Sequence, residues 1–359
     1  MLCIFAFIIF LIFFPILGFF PEYRQLFKRS WSCVFKKATG QPCDINLGQE
    51  LKGKMLGKMI FKYPKFTKFI DKTFSFWAFL FVAVNIWSLV YVMVAGVNLY
   101  VWGTCNPVSG ESCSLSGEAC GAGTSEITFE QAWKAGTVGT WALQPLDAFG
   151  KTLQQIPNRT KNWVATDYLP SKPTYYKGFK EGKPTAVEFI DPGCIFCKNL
   201  FNNIKESGFK DRYNLTYNLY PIPDPKTNTG YKFQSSYNLS KTIEASKEFP
   251  LEKNGVSGDW LILEKLYEKT TEQNSLQDKF NYSYTGAEIP DRIIDLLKSV
   301  GYTQEEAKQI QARSESKEVQ DRLDYSKKNF QEKVNSVRIP TIIFNGRRYD
   351  SVVPVEQLK

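Results

Sequence analysis

An α/β domain with a helical insertion, preceded by two transmembrane helices, is the architecture that three features of the 359-residue sequence predict. First, a short apolar run, a turn and Cys194-Ile-Phe-Cys197 stand in the order strand, turn, helix. Second, a long stretch of helical periodicity separates that unit from Ile339-Pro-Thr-Ile-Ile-Phe344 and an Asn345-Gly346 hairpin signal. Third, two long uncharged segments fall in the first third of the chain.

The uncharged segments predict an anchor over residues 1–103. Residues 2–20 carry no charge and match the roughly 20 apolar residues a bilayer span needs. No basic n-region precedes them and no small-residue cleavage site follows, so an uncleaved anchor is expected. Residues 74–102 form the second span, with Trp77, Tyr100 and Trp102 near its ends where an aromatic belt belongs. Asn85 and Asn98 are polar positions within it, suited either to a partner helix or to local bonding. Between the spans, residues 21–73 hold twelve basic and four acidic residues, a net of +8 in a chain whose total is +9. The positive charge thus belongs to one loop and does not point to nucleic acid. The positive-inside rule makes this loop cytoplasmic and both termini extracytoplasmic. Its lysines alternate with Met55, Met59, Phe61, Phe66 and Phe69, a pattern suited to anionic membrane lipids. The expected location is a two-pass protein of a bacterial plasma membrane, with the C-terminal domain on the periplasmic side.

Residues 104–174 are expected to be an extracytoplasmic linker rich in Cys, Gly and Ser at its start. Cys105, Cys113 and Cys120 would meet an oxidising compartment there, whereas Cys33 and Cys43 would stay reduced in the cytosol. The expectation for the three is one local disulfide stapling the juxtamembrane loop; a relay passing electrons to Cys194 is the alternative.

The chemistry centres on Cys194 and Cys197 in the domain predicted over residues 175–359. The chain contains no histidine, which excludes His-dependent nucleophile pairs and His-ligated metals. Thiol–disulfide exchange survives that exclusion. A cysteine at a helix N-terminus gains thiolate character from the unsatisfied N–H groups and the helix dipole. Cys194 is therefore the candidate nucleophile, and Cys197, one turn deeper, the candidate resolving thiol. The same spacing also supplies half of many zinc sites or a static disulfide staple. No second Cys pair follows in this domain, so no metal and no other cofactor is expected.

After the Cys helix, residues 215–220 alternate like a strand. Helices are predicted at about 234–249, 258–272, 289–300, 303–314 and 316–336, with a capping box at Thr303–Glu306. Strands follow at 339–344 and 347–349, and Val353–Leu358 begins a last, short helix.

Two separated motifs, residues 187–197 and 338–349, give this domain a resemblance to the DsbA-type branch of the thioredoxin superfamily. The helices of about residues 224–336 correspond to that branch's helical insertion. The resemblance implies a thioredoxin-like fold and protein-disulfide oxidoreductase activity. It implies a cis-proline at Pro340, with backbone groups of Ile339 free to pair with a substrate strand. It also implies an acidic group behind the cysteines: Glu188, six positions before Cys194, would accept and return the proton of Cys197. The strongest oxidants of the family carry a His between the cysteines. Here Ile195 and Phe196 stand there, and could form an apolar lip for unfolded substrates. Implied partners are exported proteins bearing thiols or disulfides, and a quinone-linked membrane reoxidase. Oxidant, isomerase and reductant use the same residues, because direction is set by a potential difference. A non-catalytic, membrane-anchored binding or assembly module with a structural disulfide is the reading from another class.

Overall fold

A computed structural model describes residues 76, 84, 86–104, 118–121, 129–269 and 275–359. The span predicted at 2–20, the basic loop, Cys105 and Cys113 lie outside these residues, and the span at 74–102 lies partly outside. No helix among the described residues is long and apolar enough to cross a membrane. Residues 1–96 and 97–359 form two separate units, and the second contains the cysteine pair.

The site is carried by a four-stranded sheet of β2 (Thr185–Ile190), β3 (Asn214–Leu219), β7 (Thr341–Phe344) and β8 (Arg347–Tyr349), in the order β3-β2-β7-β8. β2 pairs parallel with β3 and antiparallel with β7, so the strand that leads into the cysteines lies beside the strand that leaves Pro340. β2 is covered on both faces, which explains its nearly continuous apolar run. The Asn345-Gly346 turn closes β7 on β8 as the hairpin signal predicts; both turn residues have positive φ, 48° and 71°.

β3 matches the strand predicted from the alternation at 215–220, and all six of its residues are buried. Two of its polar side chains, Asn214 and Asn218, bond backbone groups of distant segments. Asn214 bonds the backbone of Lys180 and Lys183, and Asn218 donates to the Tyr168 carbonyl at 2.9 Å. Tyr168 belongs to residues expected to be an extended linker. Trp163, Ala165, Tyr168 and Tyr176 instead lie in the hydrophobic core, so the domain begins well before residue 175.

Two helices precede the core, α1 (Phe129–Lys134) and α2 (Val138–Gln154). Residues 86–102 are also helical. Asn98 accepts from the Thr152 hydroxyl of α2 at 2.7 Å, and the Trp102 indole donates to the same oxygen at 3.1 Å.

Helix α3 (Ile195–Ser207) begins at the cysteines and ends at Gly208, whose φ of 68° gives the left-handed cap. The short α4 (Phe209–Arg212) leads into β3. The insertion holds α5 (Ser236–Ser246), the strand pair β4 (Glu252–Lys253) and β5 (Val256–Ser257), and α6 (Gly258–Leu266). It continues through α7 (Leu276–Asp278) with a π-turn over Lys279–Ser283, α8 (Ile289–Val300), α9 (Gln304–Ser314) and α10 (Lys317–Lys328). Thr303 and Glu306 form the expected capping box. α6 ends at Leu266, short of the predicted 272, and α7 was not anticipated. The last helix, α11 (Val355–Leu358), packs on α3.

Candidate active site

Helix α3 starts where the β2 backbone turns through Asp191-Pro192-Gly193. Cys194 is the N-cap, in extended conformation, so its side chain sits at the positive end of a 13-residue helix. The turn is braced from several directions. The Cys194 N–H donates to the Asp191 carbonyl at 3.0 Å. Asn281 donates to the Gly193 carbonyl at 2.8 Å, and Gln277 to those of Pro192 and Cys194 at 2.8 and 3.1 Å. Gly193 permits the close approach of Phe233: a Cβ at residue 193 would lie 2.5 Å from that of Phe233.

Opposite Cys194 stands a short strand, β6 (Arg338–Ile339), followed by a cis Ile339–Pro340 bond. The Cys194 Sγ lies 3.9 Å from the Ile339 carbonyl oxygen. Ile339 is fully buried, and its backbone has a strand partner, which is the chain's own β1 (Cys120–Gly121). β1 runs antiparallel to β6, with Cys120 opposite Ile339 and Gly121 opposite Arg338. This pairing brings Cys120 to the N-terminus of α3, where it forms a disulfide with Cys194, Cα atoms 6.7 Å apart. Cys197 is a buried free thiol.

Cys120 is thus bonded across 74 residues of sequence to Cys194 and takes no part in a local staple, while Cys105 and Cys113 lie outside the described residues. Residues 119–121 are likewise buried rather than open loop, and Cys120 and Gly121 form a strand. The physical reason is that β6 offers an unpaired edge and Ala119, Cys120 and Gly121 are small enough to lie under cover there.

Beneath the cysteines the site is acidic and buried. Glu188 points into the interior from β2, and neither carboxylate oxygen has a hydrogen-bond partner among the described residues. Burial pushes its pKa up to about 8. Asp191, absent from the sequence-based candidates, is the second buried acid. It accepts from the N–H groups of Gly193 and Ile222 at 2.8 and 2.7 Å and from the Ser236 hydroxyl. Burial still outweighs these bonds and pushes its pKa up to about 6. The Asp191 N–H donates to the Cys197 sulfur at 3.4 Å. Burial raises the pKa of the Cys197 thiol well above its ordinary value; its hydrogen bond from Asp191 opposes the shift, and the nearby carboxylates of Asp191 and Glu188 add to it. Tyr267 donates to the Asp191 carbonyl at 3.0 Å.

The structure therefore gathers Cys194, Cys197, Glu188, Ile339 and Pro340 in one place. Of the two residues between the cysteines, Ile195 is exposed and Phe196 packs partly against the core. Asp191, Gln277, Asn281 and Phe233 complete the site without having been anticipated. Asp191 was legible only as part of a turn signal, and the other three lie in the insertion, where no motif marks them.

No family model matches the chain, and no curated protein matches it. Solved structures are similar to it. One is a thioredoxin-like oxidoreductase from Silicibacter pomeroyi, 18% identical, covering 48% of this chain and 81% of its own, with a TM-score of 0.34. Another is MdbA, a thiol-disulfide oxidoreductase from Corynebacterium diphtheriae, 16% identical over 50% of this chain and 85% of its own, TM-score 0.35. ScsC from Proteus mirabilis, in a transitional conformation, is 14% identical over 65% of this chain and 95% of its own, TM-score 0.34. A helix-capping Cys-x-x-Cys, a cis-proline loop opposite and a buried acid behind come together on a β3-β2-β7-β8 sheet with an inserted helical layer, a thioredoxin-like fold.

Proposed function

We propose that the chain is a membrane-tethered protein-disulfide oxidoreductase that acts as an oxidant on exported proteins through Cys194 and Cys197. One observation carries this reading. Cys194 is joined in a disulfide to a peptide strand lying on the cis-proline loop, while Cys197 waits beneath as a thiol. That is the covalent and spatial arrangement of an exchange intermediate.

In the productive cycle a substrate thiolate attacks Sγ of Cys194 in the Cys194–Cys197 disulfide. The bond between the two cysteines breaks, a mixed disulfide forms at Cys194, and the electron pair leaves on Cys197, which takes a proton. Glu188 and Asp191 are the buried groups placed to supply and recover that proton, with pKa values of about 8 and 6. A second substrate thiolate then attacks the mixed disulfide. The substrate leaves oxidised and the cysteine pair leaves reduced. A membrane-bound, quinone-linked reoxidase would restore the pair. The uncharged segments at 2–20 and 74–102 and the basic loop between them support tethering to anionic lipids, with the redox domain extracytoplasmic.

The test uses the full-length protein in detergent micelles with Cys194 and Cys197 oxidised. A peptide carrying two thiols should gain one disulfide for each protein molecule reduced, and Cys197→Ser, which cannot form the Cys194–Cys197 disulfide, should oxidise none. Absence of peptide oxidation by the wild-type protein would refute the reading.

A further inference from the structure

The strand that occupies the groove belongs to the chain itself. Residues 118–121 are held along their length: the Val352 N–H donates to the Glu118 carbonyl at 2.9 Å, Cys120 pairs with Ile339, and Gly121 pairs with Arg338. Arg338 is in turn fixed by donating to the Trp102 carbonyl at 3.1 Å. Ala119 has no exposed surface and Cys120 only 4%. Under this cover Cys194 is completely buried. A nucleophile with no exposed surface cannot meet an external thiol or disulfide, so the state described is closed to substrate.

We infer that Cys120 is a third redox cysteine of this site, and that residues 118–121 are a tethered substrate that closes the groove until Cys197 displaces it. This inference rests on the oxidoreductase reading of the same cysteines. Opening is an exchange without net oxidation. The Cys197 thiolate attacks Sγ of Cys194, the Cys194–Cys197 bond forms, and the Cys120–Cys194 bond breaks. The electron pair leaves on Cys120, which takes up a proton equivalent to the one Cys197 released. Closing is the reverse, with Cys120 thiolate attacking the Cys194–Cys197 disulfide. No external oxidant or reductant enters in either direction. Cys197 is buried among acids that oppose its ionisation, so the closed state persists until that proton is removed.

The tethered segment also defines the substrate class. An external substrate must replace an extended strand whose cysteine lies opposite Ile339 and whose neighbours, Ala119 and Gly121, are both buried. Extended segments with small residues on either side of the cysteine fit that register. A bulky residue at the position of Ala119 does not.

The experiment has two arms on the full-length protein in micelles. In the first, Cys197→Ser is purified without reductant, alkylated, digested and mapped by mass spectrometry. A Cys120–Cys194 linked peptide is expected as the main species. Cys194 found as a free thiol, or linked to any other cysteine, would overturn the inference. In the second, wild type and Cys120→Ser are oxidised and mixed with a reduced synthetic peptide of residues 116–124 at micromolar concentration. A tethered competitor acts at an effective concentration far above that of the free peptide, so Cys120→Ser should form the peptide adduct about tenfold faster or more. Equal rates would overturn the inference while leaving the oxidoreductase reading intact. No exchange by either protein, with any thiol peptide, would overturn the oxidoreductase reading itself, whatever the mapping shows.

Discussion

The two cysteines of one helical turn occupy opposite environments. Cys194 faces the groove, where its sulfur is bonded to Cys120 and covered by a strand. Cys197 faces the interior, where its thiol has the Asp191 N–H on its sulfur and two buried acids nearby. The groove side is built from backbone: β6, the cis-proline loop and whatever strand lies on them. The interior side is built from side chains, Glu188, Asp191, Ser236 and Tyr267. In the proposed cycle, backbone pairing takes an extended segment with small residues beside its cysteine, whereas the buried acids set the terms on which the proton moves. That cycle separates substrate capture and resolution across a single turn of helix.

The largest effect that would break this division is loss of the groove-side sulfur. Cys194→Ser should abolish exchange with peptide thiols, lowering the rate by about a thousandfold or more, because the serine hydroxyl forms no mixed disulfide. A rate within tenfold of wild type would place the chemistry at another cysteine.

The interior side is tested by Glu188→Gln. Removing the proton acceptor should slow resolution of a peptide mixed disulfide by Cys197 by about a hundredfold, while adduct formation at Cys194 changes little. The same substitution should show in stability. The folded pKa of Glu188 is about 8 against 4.5 when exposed, so the unfolded chain ionises first. This group's cost to folding is absent below pH 4.5, grows as pH rises through 4.5 to 8, and is complete above 8. Glu188→Gln should therefore unfold like wild type at pH 4. At pH 8 it should be more stable, by on the order of 3 kcal/mol, in urea melts. A gain that is largest at low pH would contradict the burial of the carboxyl.

Much of this was legible before any coordinates. The strand–turn–Cys order, the hairpin at Asn345-Gly346 and the capping box at Thr303 rest on local rules of turn chemistry and periodicity, whereas the cis bond at Pro340 was implied by the resemblance to the DsbA-type branch. The partner of Cys194 was not legible. β1 is two residues long in a stretch rich in Gly and Ser, so it has no period to detect, and its pairing spans over two hundred residues of sequence. The burial of β3 was hidden for a related reason. Its alternation of Leu, Tyr and Asn signals one wet face, yet Tyr168 and Asn329 cover that face with bonded groups from distant segments. Gln277 and Asn281 brace the cysteine turn from the insertion, and nothing in their neighbours announces it.

Two smaller effects sharpen the comparison. Gly193→Ala places a Cβ against Phe233 and must displace either that ring or the turn, so it should cost about 1–3 kcal/mol in chemical denaturation and alter exchange at Cys194. Tyr267→Phe removes only a hydroxyl bonded to the Asp191 carbonyl. About 1 kcal/mol of stability should be lost, with exchange rates changed less than about threefold. A larger change in rate would extend the interior proton path to Tyr267.

The central claim is that the sulfur of Cys194 alternates between two partners, rather than being locked to one. The direct measurement is a redox titration of the full-length protein in glutathione buffers, with the partners of Cys194 read by differential alkylation and mass spectrometry. Cys197 should pass between free thiol and disulfide with Cys194 as the buffer potential changes, with Cys120 released whenever Cys197 is bonded. If Cys197 instead remains a free thiol at every potential, and Cys120–Cys194 simply opens under strong reductant, the disulfide is a staple and the account is wrong.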